Sequence, residues 1–171
     1  MVTELEYIAY YTHLATQHNQ IGHVAGSKDA FFFIPMAYDL AEIDKAIRNT
    51  KTTPFLALDA LRGSFNDNAS ENNVQIIAGQ FTIADKVDKG FSLTIREAQD
   101  KCLKIGLDII TRMKHDSRKR QLFNPLASFS ISNVLYEPVG PMSVNHYGYT
   151  FHFDIACPFG YTVDSGTWLD K

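Results

Sequence analysis

This chain contains few cysteines and has a small net charge, and each of these features excludes a class of protein. Of 171 residues only Cys102 and Cys157 are cysteines, too few for a disulfide scaffold. The net charge of -3 gives no general attraction to phosphate backbones or anionic lipid, so nucleic acid is not expected as the main partner. We expect a cytoplasmic protein with reduced thiols.

Long apolar runs and the common catalytic signatures are also missing. The longest apolar run, residues 30–38, is far shorter than the ~20 residues that cross a bilayer. The first residues are acidic and interrupted by polar side chains, unlike a secretory signal peptide. The chain has no GxSxG, Walker-type glycine loop, GxGxxG or CxxC, which favours a non-enzymatic protein without metal or cofactor.

What is present is ordinary globular composition, with 45% hydrophobic and 20% charged residues. A chain of this length can bury roughly two thirds of its unfolded surface. No repeat, low-complexity tract or composition shift divides it. We therefore predict one domain, residues 1–171, with a helical segment over about 1–50 and a sheet-and-helix core over about 53–160.

The first fifty residues alternate helical and extended signals. Thr3 and Glu6 have capping-box spacing, which predicts a helix over about 4–18. Residues 30–35, with three consecutive Phe, favour a buried strand that ends at Pro35. A short helix over about 39–50 follows, capped by Asp39.

From residue 53 the periodicity indicates a hairpin, a long helix and a second hairpin. Strands are predicted over 54–65 and 73–87, with a β-bulge at Gly79 where the apolar residues change parity. A long amphipathic helix is predicted over about 94–120, with a capping box at Thr94 and Glu97 and an apolar stripe that includes Cys102. Strands over 128–139 and 147–159 close the chain. The order predicts an α+β fold: a mainly antiparallel sheet with a long amphipathic helix packed on one face, plus N-terminal helices.

The last strand carries a possible acid/base or metal site. Strand alternation places His146, His152 and Asp154 on one face, opposite Phe151 and Phe153. A metal-dependent or acid/base enzyme using those three polar residues is one alternative, although a zinc site normally needs three or four converging ligands. A polar sheet face that meets water or another subunit is the favoured interpretation.

Two further sets of residues bear on function. His13, His18 and His23 are spaced by five, which does not align them on one helical face. Four basic residues near the end of the long helix would suit a nucleic-acid accessory protein, although such a basic turn also complements the helix dipole. These are Lys114, Arg118, Lys119 and Arg120.

The element order from Thr53 onward resembles a known class of phage protein. The similarity rests on "GQFTIADKVDKG" before the long helix, "GLDIITRMKHD" within it and "YEPVGPMSVNHYGYTFHFDI" as the last hairpin. These stretches resemble small prophage proteins of Bacteroidetes-type bacteria, and the general shape is similar to phage tail terminator and tail completion proteins. The similarity covers about two thirds of the chain.

The resemblance implies a structural role. Subunits would form a homo-oligomeric ring, typically of six, that caps the tail tube and faces the head-side connector, first in the cytoplasm and then in the virion. The aromatic and polar residues that we predict for such an interface are Phe31, Phe32, Phe33, His152, Asp154 and Trp168.

Overall fold

The computed structural model describes residues 2–27, 30–35, 40–49, 53–66, 73–88, 91–143, 145–160 and 166–167. Within them the chain forms three α-helices and a seven-stranded mixed sheet that is mostly antiparallel, which confirms the α+β class. The helices are α1 (Glu4–Gln17), α2 (Leu40–Asn49) and α3 (Ser92–Lys119). The strands are β1 (Phe31–Ile34), β2 (Phe55–Asp59), β3 (Arg62–Asn66), β4 (Asn73–Lys86), β5 (Ser128–Phe129), β6 (Leu135–Met142) and β7 (His146–Phe159).

The sheet is built on the long antiparallel pair of β4 and β7. Their register runs without interruption from Asn73 opposite Phe159 to Lys86 opposite His146. The strand order is β1-β2-β4-β7-β5, with β3 also paired to β4 and β6 also paired to β7. Among the described strands, only β1 is parallel to its neighbour, β2. The N-terminal strand and β6 therefore lie on opposite sides of the central pair.

The predicted bulge at Gly79 is wrong, and the irregularity lies in the neighbouring strand. Leu58 opposes Phe81 and Arg62 opposes Ala78, so one extra residue is inserted between β2 and β3. This divides the strand predicted over 54–65. Gly79 is instead small because the Phe153 ring and the Tyr7 hydroxyl fill the space that its side chain would need.

The strand predicted over 128–139 is also divided. A 3-10 helix, Ile131–Asn133, separates the two-residue β5 from β6, which continues to Met142. Lys114 of α3 donates a hydrogen bond from Nζ to the Phe129 carbonyl, at 2.7 Å, and thereby ties β5 to the helix. The break directs the chain along the flank of α3 before it rejoins the sheet.

The helices cover the two faces of the sheet unequally. The main core joins α1 and α3 to inward-facing residues of β4 and β7, including Phe81, Phe151 and Phe153. A smaller core on the opposite face joins Ile47 of α2 to Phe55 and its neighbours. Because α2 is short, it covers one end of this second face, and the sequence pattern had predicted only the layer that contains α3.

Helix α1 begins at the predicted capping box and is fixed to α3 by polar contacts. Thr3 accepts from the Glu6 N–H, and the Glu6 carboxylate accepts from the Thr3 N–H. Farther along, the Tyr10 hydroxyl donates to the buried Asp116 at 3.0 Å. His18 lies 3.7 Å from Asp108. The two helices therefore run antiparallel, with α1 over β1 and β2.

The long helix has the predicted apolar stripe but not the predicted start. Cys102 and Ile105 of the stripe are fully buried. The N-cap is Phe91, without a side-chain cap, and the Thr94 hydroxyl donates to the Phe91 carbonyl, so the predicted capping box at Thr94 is wrong. The helix ends at Arg120, whose left-handed backbone (φ 58°) lets the N–H of the next residue, Gln121, donate to the Asp116 carbonyl at 2.8 Å.

Candidate functional site

Part of the second sheet face is not covered by α2, and polar side chains converge there. Gln80 of β4 is paired with His152 of β7, and Leu135 of β6 lies on the other side of His152. Asp154 opposes Ala78, which in turn opposes Arg62. We call this region, with Asp59 at the end of β2, the open face.

The open face contains a cleft of about 220 Å³ lined by Asp59, Arg62, Gln80, His152 and Asp154 among others. Two features of the surrounding strands account for the cleft. The extra residue between β2 and β3 disturbs the strand edge beside Asp59, and Ala78 at the centre contributes only a methyl group. β-bulges are common at sheet edges and beside functional sites, where they redirect a side chain.

The electrostatics of the cleft are mixed in sign. Burial raises the pKa of the Asp59 carboxyl, and the charges of Arg62 and His152 oppose that rise. His152 Nε2 lies 3.6 Å from Glu137 Oε1 on β6. A half-buried carboxyl with a raised pKa beside a histidine is one of the arrangements that acid/base catalysis uses.

Replacing Asp59 with asparagine tests this electrostatic arrangement. Because the pKa of Asp59 is higher in the folded protein than in the unfolded chain, ionising it costs the folded state more, and stability falls as pH rises through the folded pKa. We expect D59N to be more stable than the wild type at neutral pH, with the difference disappearing below about pH 4. Urea denaturation across this pH range measures it. A less stable D59N at neutral pH would mean that Arg62 holds the carboxylate in a net favourable pair.

The three residues of the predicted catalytic or metal site do not converge. His146 lies six residues from His152 on the same strand, roughly 20 Å away. Its ring packs against the ring of Phe55, with 5.6 Å between the ring centroids. Burial and the charge of Lys86 lower the pKa of His146. Among the described residues, no three His, Cys, Asp or Glu side chains are grouped as metal ligands require. His152 and Asp154 share the cleft, and His146 does not.

The residues predicted for an aromatic interface are placed differently from expectation. Phe31 and Phe32 are buried, each in one of the two cores, and Phe33 is half-buried. The three phenylalanines therefore serve mainly the packing of this one chain. Trp168 lies outside the described residues.

A second surface, which the sequence pattern did not single out, lies on the flank of α3. A groove of about 570 Å³ runs between α3 and the segment that leads into β6. Its apolar walls include Leu107, Ile131 and Tyr136, of which Ile131 is 58% and Tyr136 53% exposed. Lys114 and Arg118 form a basic rim. We call it the α3–β6 groove.

The sequence holds one signal for this groove. Leu107 lies beside the main stripe of α3 and is 41% exposed, so the apolar part of the helix is wider than the part that the sheet covers. An apolar stripe that is wider than the part packed in the core indicates that the helix makes a second apolar contact. The position of Ile131 and Tyr136 opposite it depends on the 3-10 helix, which no periodicity in the sequence announces.

The remaining candidate residues are dispersed or structural. His13 is exposed, His18 contacts Asp108, and His23 is buried against Phe31. Both cysteines are buried as predicted. Burial raises the pKa of the Cys102 thiol to about 12 and also raises that of Cys157, which disfavours the reactive thiolate.

The described residues define an α+β protein with a polar cleft on one face of the sheet and an apolar groove on its helical side. No family model matches the chain, and none of the curated proteins is significantly similar to it. None of the helices in the described parts of the chain is both long and apolar enough to cross a membrane.

Proposed function

We propose that this protein is a non-enzymatic assembly subunit, a phage tail terminator or head–tail joining component that forms a homo-oligomeric ring. The observation that carries the proposal is the α3–β6 groove. Monomeric proteins rarely leave a large contiguous apolar surface open to water, and such surfaces commonly mark contacts with other proteins. In the ring, the protein would contact the tail tube and the head-side connector, first in the cytoplasm and then in the virion.

The sheet edge beside the groove supports contact through side chains. The outer strand β6 contains Pro138 and Pro141, and proline has no N–H to offer a further strand. Prolines and short strands are common devices against edge-to-edge aggregation. A neighbouring subunit would therefore meet this flank through the apolar groove and its charged rim.

The proposal predicts that the purified protein self-associates. We expect its mass, measured by sedimentation or light scattering, to rise above 19.3 kDa with increasing concentration, and electron microscopy to show rings. A protein that stays monomeric up to its solubility limit, with no rings in negative stain, would contradict the assembly role.

An acid/base enzyme is the second candidate, and the cleft on the open face favours it. Asp59, His152 and Asp154 would be its reacting groups, in place of the separated trio that includes His146. The D59N titration bears on it directly, because a carboxyl without a raised pKa would not be tuned for proton transfer near neutral pH. Alanine variants of the three residues that fold normally but lose a measured activity would establish it.

A nucleic-acid accessory role has less support. Of the four basic residues, Lys114 is engaged with the Phe129 carbonyl, and Arg118 belongs to the groove rim. Only Lys119 and Arg120, both exposed, lie beyond these two. DNA binding that weakens steeply with salt and is lost when the basic residues are neutralised would favour that role.

A further inference from the structure

The flank of the molecule opposite the α3–β6 groove carries a second apolar surface with the opposite charge. On helix α1, Leu5 and Ala9 are exposed, and Ile8 and Thr12 are half-buried, with Ile8 packed in part against the main core. The four residues recur at intervals of three, four and seven. We call them the α1 stripe. Leu5 is 79% exposed. The Thr12 hydroxyl donates to the Ile8 carbonyl of its own helix, so it needs no partner outside α1.

Acidic residues border this stripe where basic residues border the groove. Glu4 and Glu6 are exposed in the first turn of α1. The groove has Lys114 and Arg118 on its rim. An amphipathic helix that lays apolar residues at this spacing into a groove, with complementary charges at the edge, is a common mode of protein recognition.

The two surfaces cannot meet within one molecule. Helix α1 lies over β1 and β2, at one end of the sheet order. The groove lies on the other flank of α3, beside β6. Each copy therefore presents its α1 stripe on the side away from its own groove. The α3–β6 groove of a neighbouring copy can bind that stripe.

We propose that the α1 stripe of one copy docks into the α3–β6 groove of the next, so that subunits join head to tail. This inference rests on the proposed assembly function and specifies its contact. Such a heterologous contact produces a ring when its rotation closes and a filament when it does not. A two-fold contact of groove against groove is disfavoured because it would bring the basic rims together.

The two surfaces can be blocked separately, because both contain exposed residues whose replacement leaves the core intact. L5E blocks the stripe, and I131E blocks the groove. V24E is the matched control, since Val24 is 66% exposed and lies outside both surfaces. Circular dichroism and thermal unfolding verify that each variant is folded.

Sedimentation velocity on the single variants and on their mixture tests the contact. We expect L5E and I131E each to be monomeric where the wild type and V24E associate. An equimolar mixture of L5E and I131E should form a heterodimer and nothing larger, because each retains one functional surface. Reversing both charges, as E4R together with R118E, should restore part of the association that R118E alone loses.

Several outcomes would overturn the inference, and they are separable from failure of the assembly role. If the wild type associates but L5E and I131E associate equally well, assembly stands and this contact is wrong. If both variants are monomeric but their mixture stays monomeric, the contact is not stripe to groove. A wild type that is monomeric throughout rejects assembly itself, and salt-dependent DNA binding lost in R118E would assign the basic rim to nucleic acid.

Discussion

Replacing Phe153 with alanine is expected to lower the free energy of unfolding by about 3–5 kcal/mol, the range for a large buried aromatic side chain. Phe153 is almost fully buried. Its ring packs against three other rings, with centroid distances of 5.8 Å to Tyr11 of α1, 6.1 Å to Phe81 of β4 and 6.3 Å to Phe129 of β5. It thus joins three elements, and the neighbouring Gly79 has no side chain to fill the cavity. Urea denaturation with an unchanged m-value measures the loss.

Phe65 provides the matched control. It is also a phenylalanine on a strand, but it is 60% exposed and contacts only Phe159 among the described rings. We expect F65A to cost about 1 kcal/mol or less, as a surface position does. Equal losses for F153A and F65A would mean that the described core does not dominate stability.

Replacing Gly106 with valine is the second change with a large expected effect, a loss of about 3 kcal/mol in the free energy of unfolding. A side chain at Gly106 would overlap the ring of Phe151. That ring is fully buried and stacks on Phe81 at 5.0 Å, so it cannot move aside, and overpacking a close-packed core is costly. The helix propensities of glycine and valine differ by less than about 1 kcal/mol, so the steric effect should decide the result.

Gly63 on β3 tests whether the loss depends on this contact. A side chain there would meet no atom closer than 3.9 Å, and valine suits a strand, so G63V should be neutral or stabilising. In a double-mutant cycle, F151L should cost less in the G106V background than in the wild type, because the smaller side chain relieves the overlap. Additive losses would contradict a direct clash between the two positions.

These positions also bear on the assembly proposal. Phe153 and Gly106 fix α1 and α3 to the sheet, and those helices carry the α1 stripe and one wall of the α3–β6 groove. A variant that loosens this core would lose assembly without changing either surface. Interface variants are therefore informative only at exposed positions such as Leu5 and Ile131.

The sequence predicted the fold where its signals are local and periodic. The capping box at Thr3, the apolar stripe of α3 and the alternation along β7 each depend on neighbouring residues, and all three are present. The sequence prediction misplaced the bulge because a change of parity shows only that apolar residues change from one face of the sheet to the other. It does not show which of two paired strands carries the extra residue. At Gly79 the register between β4 and β7 is uninterrupted. The small size of Gly79 leaves room for the ring of Phe153, which is 74 positions away along the chain.

By itself, the sequence determined the class of the protein: a chain of moderate charge and ample apolar content, with one long amphipathic helix and alternating strands, forms an α+β domain. The tertiary structure alone decided what is left exposed. It buried Phe31 and Phe32 in two cores, brought Asp59 into the same cleft as His152, and placed the 3-10 helix beside α3 to form the groove. The physical reason is that burial and proximity depend on which distant segments meet, whereas helix and strand periodicity depend on residues that are close along the chain.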